Sequence, residues 1–201
     1  MKSGAAKLHL ALDGLPEFTG LSSDQLGQRL VIAPTMNYIE LAFNSAKYGE
    51  YSSAPALDIS IPSIHDDSLA PAGKHVLSAI VQFAPYELAA GWDGEKDNFK
   101  SLVIAKIAEY APGLEQLITA SELLTPVDLE QEFHMHGGHW HHGEISLDQI
   151  MFMRPFPGAT QYGTAVDGLY LCGAGTHPGG SVMGLSGRNA AKEILKRGAS
   201  A

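Results

Sequence analysis

Leu8, Leu10 and Leu12 alternate with Lys7, His9 and Ala11, and this period of two predicts a strand over residues 7–12. Thr35 precedes Met36, Ile39, Phe43 and Ala46, apolar positions at helical spacing, so a helix capped by the Thr35 hydroxyl is expected there. Leu57, Ile59 and Ile61 alternate with Asp58 and Ser60 and predict a second strand, ended by Pro62. Residues 76–83 are apolar at most positions, the pattern of a buried central strand. A helix opening at Asp97 or Asn98 carries Phe99, Leu102, Val103, Ile107 and Tyr110 on its buried face, and Pro112-Gly113 breaks it. Val127, Leu129, Gln131 and Phe133 alternate with Asp128, Glu130 and Glu132, which predicts a strand with an acidic solvent face.

A loop rich in Gly and His follows at residues 134–143. Residues 151–153 predict a short strand, and Arg154-Pro155-Phe156-Pro157-Gly158 is expected to be irregular because two prolines restrict it. Residues 168–171 predict a strand and residues 185–196 a helix with Ala190, Ala191, Ile194 and Leu195 inside. The fold class is therefore α+β, with a mixed or antiparallel sheet, up to about residue 150, followed by a strand-helix piece. An apolar strand leading into a helix belongs in a parallel sheet covered on both faces. The chain offers that piece no βαβ neighbours, so another chain or a preceding half is expected to supply them.

Composition narrows the function. A net charge of −9 with only 13 Lys and Arg argues against nucleic acid, whose phosphates need basic clusters. A single cysteine, Cys172, excludes an intramolecular disulfide and fits a reducing compartment, so a cytoplasmic protein is expected. The residues after Met1 do not form the apolar run of a signal peptide, and no stretch approaches the ~20 apolar residues of a membrane span.

Gly173-Ala174-Gly175-Thr176-His177-Pro178-Gly179-Gly180 reads as a turn that lets a polyanionic ligand approach bare backbone, with the positive end of the next helix beside it. A sharp structural turn is the alternative. The loop His134-Met135-His136-Gly137-Gly138-His139-Trp140-His141-His142 offers imidazoles to a metal, yet Cys or Glu at a standard zinc spacing is absent; clustered His and Trp also suit a wall that stacks on an aromatic ring. No metal is assigned. Arg154, isolated among apolar residues, suits either a buried anion or the capping of backbone carbonyls. Cys172 reads as a buried, inert thiol, and Ser186 lies outside any GxSxG elbow.

Residues 169–180 closely resemble the C-terminal flavin motif of the phytoene-desaturase-like FAD-dependent oxidoreductases. Ala33-Pro34-Thr35, Ile61-Pro62-Ser63, residues 69–75, Gln82-Phe83-Ala84-Pro85-Tyr86, Tyr110-Ala111-Pro112-Gly113, residues 124–130 and Phe152-Met153-Arg154-Pro155 resemble one subgroup of that family. The resemblance implies a substrate domain over residues 1–145 and the closing part of a Rossmann-type FAD domain over residues 146–201. It implies cofactor contacts from Gly173, Ala174, Gly175, Thr176, Gly180, Val182, Met183 and Gly184, with a bulky residue at Gly175 abolishing flavin binding. It places Trp140, His141, His142, Arg154 and Phe156 on the substrate side and makes His177 the best catalytic candidate.

The family's first βαβ unit, with GxGxxG and a ribose-binding acid, is missing. FAD binding by this chain alone is therefore expected to be weak or absent, and the expected partner is the missing N-terminal half or a second copy of the chain. The implied reaction is hydride transfer between a small apolar substrate and flavin. The alternative is a non-catalytic module that docks a partner chain, with a metal at the His-rich loop.

Overall fold

The structure, a computed structural model, describes residues 4–143, 146–150, 153–180 and 184–198. The chain divides into two compact units between Gly138 and His139.

The first unit is built on strand alternation. Strands β1 (Ala5–Leu12), β2 (Leu30–Ile32), β3 (Leu57–Ser60), β4 (His75–Gln82) and β5 (Ile118–Leu124) form one sheet in the order β2-β3-β4-β1-β5, antiparallel throughout. Register carries the sequence pattern across all five strands. Leu30 lies opposite Ile59, Ile59 opposite Ala79, Ala79 opposite Leu8 and Leu8 opposite Leu123, so one row on one face is wholly apolar. The adjacent row, Ser60, Ser78, His9 and Glu122, is polar and points the other way.

Helix α1 (Met36–Lys47) follows β2 and is capped as expected, the Thr35 hydroxyl accepting from Tyr38 N–H at 3.1 Å. Its apolar positions are not core: Met36, Ile39 and Phe43 are exposed, and Ala42 is the helix's buried residue. Helix α2 (Trp92–Ala108) starts at Trp92 rather than at Asp97 or Asn98. Trp92 is buried and its indole N–H donates to Pro85 C=O at 3.0 Å, while Asp93 and Glu95 favour the positive helix end. Gly94 weakens helix propensity here, and burial of the indole overrides it. Phe99, Val103 and Ile107, on one stripe of α2, join the apolar face of the sheet in the core. Tyr110 lies past the helix and is exposed.

After the short helix α3 (Leu114–Leu117) comes β5, whose Thr119, Ala120, Ser121 and Glu122 are exposed on an edge strand. Such residues give no apolar alternation to read, and β2 has only three residues. The predicted strand over residues 127–133 is instead helix α4 (Pro126–Phe133). Thr125 and Asp128 form a reciprocal cap: the Thr125 hydroxyl accepts from Asp128 N–H at 3.2 Å, and the Asp128 carboxylate accepts from Thr125 N–H and hydroxyl, each at 2.7 Å. Pro126 in the first turn has no N–H that the helix would leave unused. The cap and the proline outrank a period-two pattern that was accidental.

Burial of Asp128 favours its neutral form, but hydrogen bonds from Lys96 and Thr125 outweigh this and hold its carboxyl below the ordinary range. A carboxyl depressed on folding stabilises the fold above its unfolded pKa, and that contribution is lost as pH falls through the depressed value. Thr125→Ala is expected to cost about 1 kcal/mol at neutral pH and to flatten the acid limb of stability. Urea unfolding of both chains between neutral and strongly acidic pH checks this; parallel acid limbs would count against the cap.

The second unit has one described helix, α5 (Leu185–Gly198). The strand expected over residues 168–171 is not formed. Residues 162–171 fold back on themselves around Gly168 (φ +77°), with an antiparallel bridge between Gly163 and Tyr170 and Leu171 N–H on Tyr162 C=O at 2.8 Å. Gly168 allows a local turn, and the chain pairs with its own preceding residues. Among the described residues of this unit no Rossmann-type sheet is present. Cys172 is exposed, not buried. On α5, Ala190 is buried as expected, but Ala191, Ile194 and Leu195 are exposed. Of the strand expected at residues 151–153, Met151 and Phe152 lie outside the described residues.

Candidate functional site

The glycine-rich turn at residues 173–180 is held from several sides within the second unit. Thr176 is buried; its hydroxyl donates to Gly173 C=O at 2.9 Å and its N–H reaches the same oxygen at 3.1 Å. Gly179 N–H closes a further turn on Thr176 C=O at 2.6 Å. Gly173 (φ +100°) and Gly179 (φ +107°) occupy backbone regions that a side chain rarely adopts, so the shape of the turn requires glycine at these two positions. Gly175 is different: its φ is ordinary, and a Cβ there would meet His142 Cβ at 3.6 Å, normal contact.

Arg154 is buried and serves backbone carbonyls. Its Nε donates to Gln149 C=O and one terminal nitrogen to Ala174 C=O at 2.8 Å. The carbonyl-capping alternative is thus realised, with the guanidinium fixing Ala174 in the turn. Tyr162, also buried, donates its hydroxyl to His177 C=O at 2.8 Å and accepts from the Asn189 side-chain amide at 2.8 Å. The Ser186 hydroxyl lies 3.5 Å from both His177 C=O and Gly179 C=O.

A cavity of about 310 Å³ opens where this turn meets the start of α5. It is lined by Trp140 and His141, by Gly173, Ala174, Gly179 and Gly180 of the turn, and by Gly184, Leu185, Ser186 and Gly187. Its volume lies at the lower end of the ~300–1,000 Å³ typical of ligand pockets. A Cβ at Gly173 or Gly184 would meet nothing within 4 Å, so the backbone at both is open to an approaching group. The first amides of α5 have no carbonyl one turn back within the helix, and the helix dipole favours negative charge at this end. The arrangement suits a planar or anionic group brought against bare backbone, with an aromatic wall: the His139 and His141 rings stand 5.8 Å apart and those of Trp140 and His141 6.3 Å.

The structure thus gathers Gly173, Ala174, Gly180, Gly184, Trp140 and His141 around one cavity. Thr176 and Arg154 support the turn, and Gly175 and His142 sit beside it. His177 has an exposed side chain outside the lining residues, and its carbonyl is what the turn uses. Phe156 is exposed and does not line the cavity. Val182 and Met183 lie outside the described residues. Sequence reasoning missed Tyr162 and Asn189. No spacing marks either one, because their meeting depends on the fold-back at residues 162–171.

The His-rich loop has two uses. His134 (φ +55°) ends α4, and His136 lies 3.3 Å from Glu130, whose carboxylate also accepts from Tyr86 and from Gly137 N–H at 2.8 Å. The Tyr86 hydroxyl and the Gly137 amide hold the Glu130 carboxyl below its ordinary range, with His136 adding to the effect. His139, Trp140 and His141 belong to the second unit. Among the described residues no three His, Cys, Asp or Glu side chains are grouped to hold a metal ion. Among them, too, no helix is long and apolar enough to cross a membrane.

Known proteins similar to this chain are oxidoreductases. It is 41% identical over 207 residues to pyridine nucleotide-disulfide oxidoreductase domain-containing protein 2 of Mus musculus, covering 97% of the chain and 36% of that protein. It is 31% identical over 143 residues to the neurosporene-forming phytoene desaturase of Rhodobacter capsulatus, covering 69% of the chain and 26% of the relative. It is 29% identical over 136 residues to the lycopene-forming phytoene desaturase of Pantoea ananas, covering 66% and 26%. No family model matches the chain. The chain spans about a third of the length of the mouse relative.

Proposed function

Because the chain belongs to the oxidoreductase family of the phytoene desaturases and of pyridine nucleotide-disulfide oxidoreductase domain-containing protein 2, we propose that it is the C-terminal, flavin-contacting part of an FAD-dependent oxidoreductase. The cavity where the glycine turn meets α5 carries this reading. Its residues fit part of such a cofactor: bare backbone at Gly173 and Gly184 opens on the cavity, the helix start favours phosphate, and Trp140 with His141 offers a face to a planar ring. The bound FAD would supply hydride acceptance from a small apolar substrate. The chain's own residues orient: Arg154 and Thr176 fix the turn, and Trp140 and His141 line the cavity. The imidazole of His177 is the proposed acid–base group by its place in the turn alone, its side chain standing outside the cavity lining. The GxGxxG segment that holds the adenylate half is assigned to the remaining two thirds of the relatives' length, or to a second polypeptide.

The absorption spectrum of the untagged chain, followed by titration with FAD and with the N-terminal portion of a relative, tests the proposal. Weak binding alone and near-stoichiometric flavin in the combined protein is the expected result. A combined protein that stays colourless in excess FAD would overturn it.

A docking role without catalysis has one observation behind it. Met36 and Phe43 of α1, seven residues apart on one helix face, are 89% and 42% exposed. A chain that binds no flavin yet elutes as a defined dimer would favour that reading.

A further inference from the structure

We infer that the hydroxyl of Tyr162, held by Asn189, is a latch that sets the glycine turn against α5 and so positions the cofactor backbone; this rests on the flavin reading of the same cavity. The hydroxyl has one proton and uses it on His177 C=O at 2.8 Å; its acceptor side takes an Asn189 amide proton at 2.8 Å. One oxygen therefore joins the fold-back that precedes the turn, the turn itself and the helix that follows the cavity. The Tyr162 ring is buried, so the bonds act where water competes poorly.

Backbone geometry points the same way. Tyr162 stands at φ +69°, a region that bulky residues rarely enter and that persists only where the surroundings hold it. It is pinned there by Leu171 N–H on its carbonyl and by the Gly163–Tyr170 bridge. Helix α5 grips the fold-back a second time through Arg197. Its guanidinium lies 5.6 Å from the Tyr170 ring centre and would stand 2.6 Å from a Cβ at Gly163. Tyr162 thus has little freedom, and its hydroxyl transmits the position of α5 to His177, two residues before Gly179 of the cavity lining. Tyr162 is a positioning residue, since it acts on the cavity through the turn.

The test compares the full chain with Tyr162→Phe, Asn189→Leu and the double variant. Phenylalanine keeps the ring and removes the latch. Without cofactor, amide signals of Gly173, Gly175, Gly179 and Gly180 are expected to shift and to exchange about tenfold faster in Tyr162→Phe, and less so in Asn189→Leu. The double variant is expected to match Tyr162→Phe, because both groups act on one oxygen. Amides in residues 4–138 serve as the internal control. With FAD and the N-terminal portion of a relative, Tyr162→Phe is expected to weaken the Kd about tenfold and blur the fine structure of the bound flavin spectrum, with thermal unfolding of residues 4–138 unmoved.

Glycine amides that do not respond to Tyr162→Phe overturn the latch, as does flavin binding of undiminished strength and unchanged spectrum. Loosened glycine amides in a combined protein that binds no FAD overturn the flavin reading and leave the latch. If Tyr162→Phe melts residues 139–198, Asn189→Leu, which keeps the bond to His177, carries the comparison alone.

Discussion

Valine at position 179 is expected to abolish flavin binding by the combined protein, whereas alanine at 175 leaves it nearly intact. Gly179 sits at φ +107° and its N–H is tied to Thr176 C=O at 2.6 Å, so the residue cannot relax without breaking the turn. Forcing a side chain into such a region costs about 1–3 kcal/mol, and a branched Cβ raises the cost. A turn that relaxes to avoid this cost carries the cavity-lining backbone of Gly179 and Gly180 away from α5. At Gly175 the conformation is ordinary and an added methyl makes only normal contact with His142. The expectation for Gly175 concerned a bulky residue and stands beside this one; the backbone geometry adds Gly173 and Gly179 as positions where any side chain strains the turn. FAD titration of the two variants side by side checks the contrast. Equal binding, or loss at 175 with retention at 179, would show that the turn adopts another conformation around its ligand.

Phe99→Ala is expected to destabilise the first unit by about 3–5 kcal/mol, the range for emptying a buried aromatic site. Phe99 is 1% exposed, with Tyr51 at 4.5 Å and Trp92 at 5.6 Å between ring centres. Removing it opens a cavity between α2 and the sheet and takes a partner from each of the other two rings. Urea unfolding followed by Trp fluorescence should show the midpoint falling with an unchanged slope. A loss below about 1 kcal/mol would mean that α2 closes over the gap, against the close packing in the structure.

The sheet was legible in β1 and β3, where apolar and polar residues alternate, and in β4, whose run of residues is apolar at most positions. β5 was hidden because its exposed Thr, Ala, Ser and Glu carry no apolar signal, and its place comes from pairing with β1. Residues 127–133 show the opposite failure: the alternation was clear, and the Thr125-Pro126-Val127-Asp128 cap that decides the matter lay in view. The glycine turn was legible as a backbone surface, since glycine and proline act locally. Its supports were not. Arg154, Tyr162 and Asn189 act over 20, 15 and 27 residues of separation, and only the folded chain brings those groups together.

The place of β1 has a consequence for how the protein is made. This strand lies between β4 and β5, with Leu8 opposite Ala79 on one side and Leu123 on the other. During synthesis its apolar residues emerge before either neighbour. Loop closure over such separations is slow, and an unpaired strand edge is exposed to aggregation meanwhile. A nascent chain halted before residue 118 can pair β1 on one side only. Chaperone dependence should therefore drop sharply once β5 has cleared the ribosome.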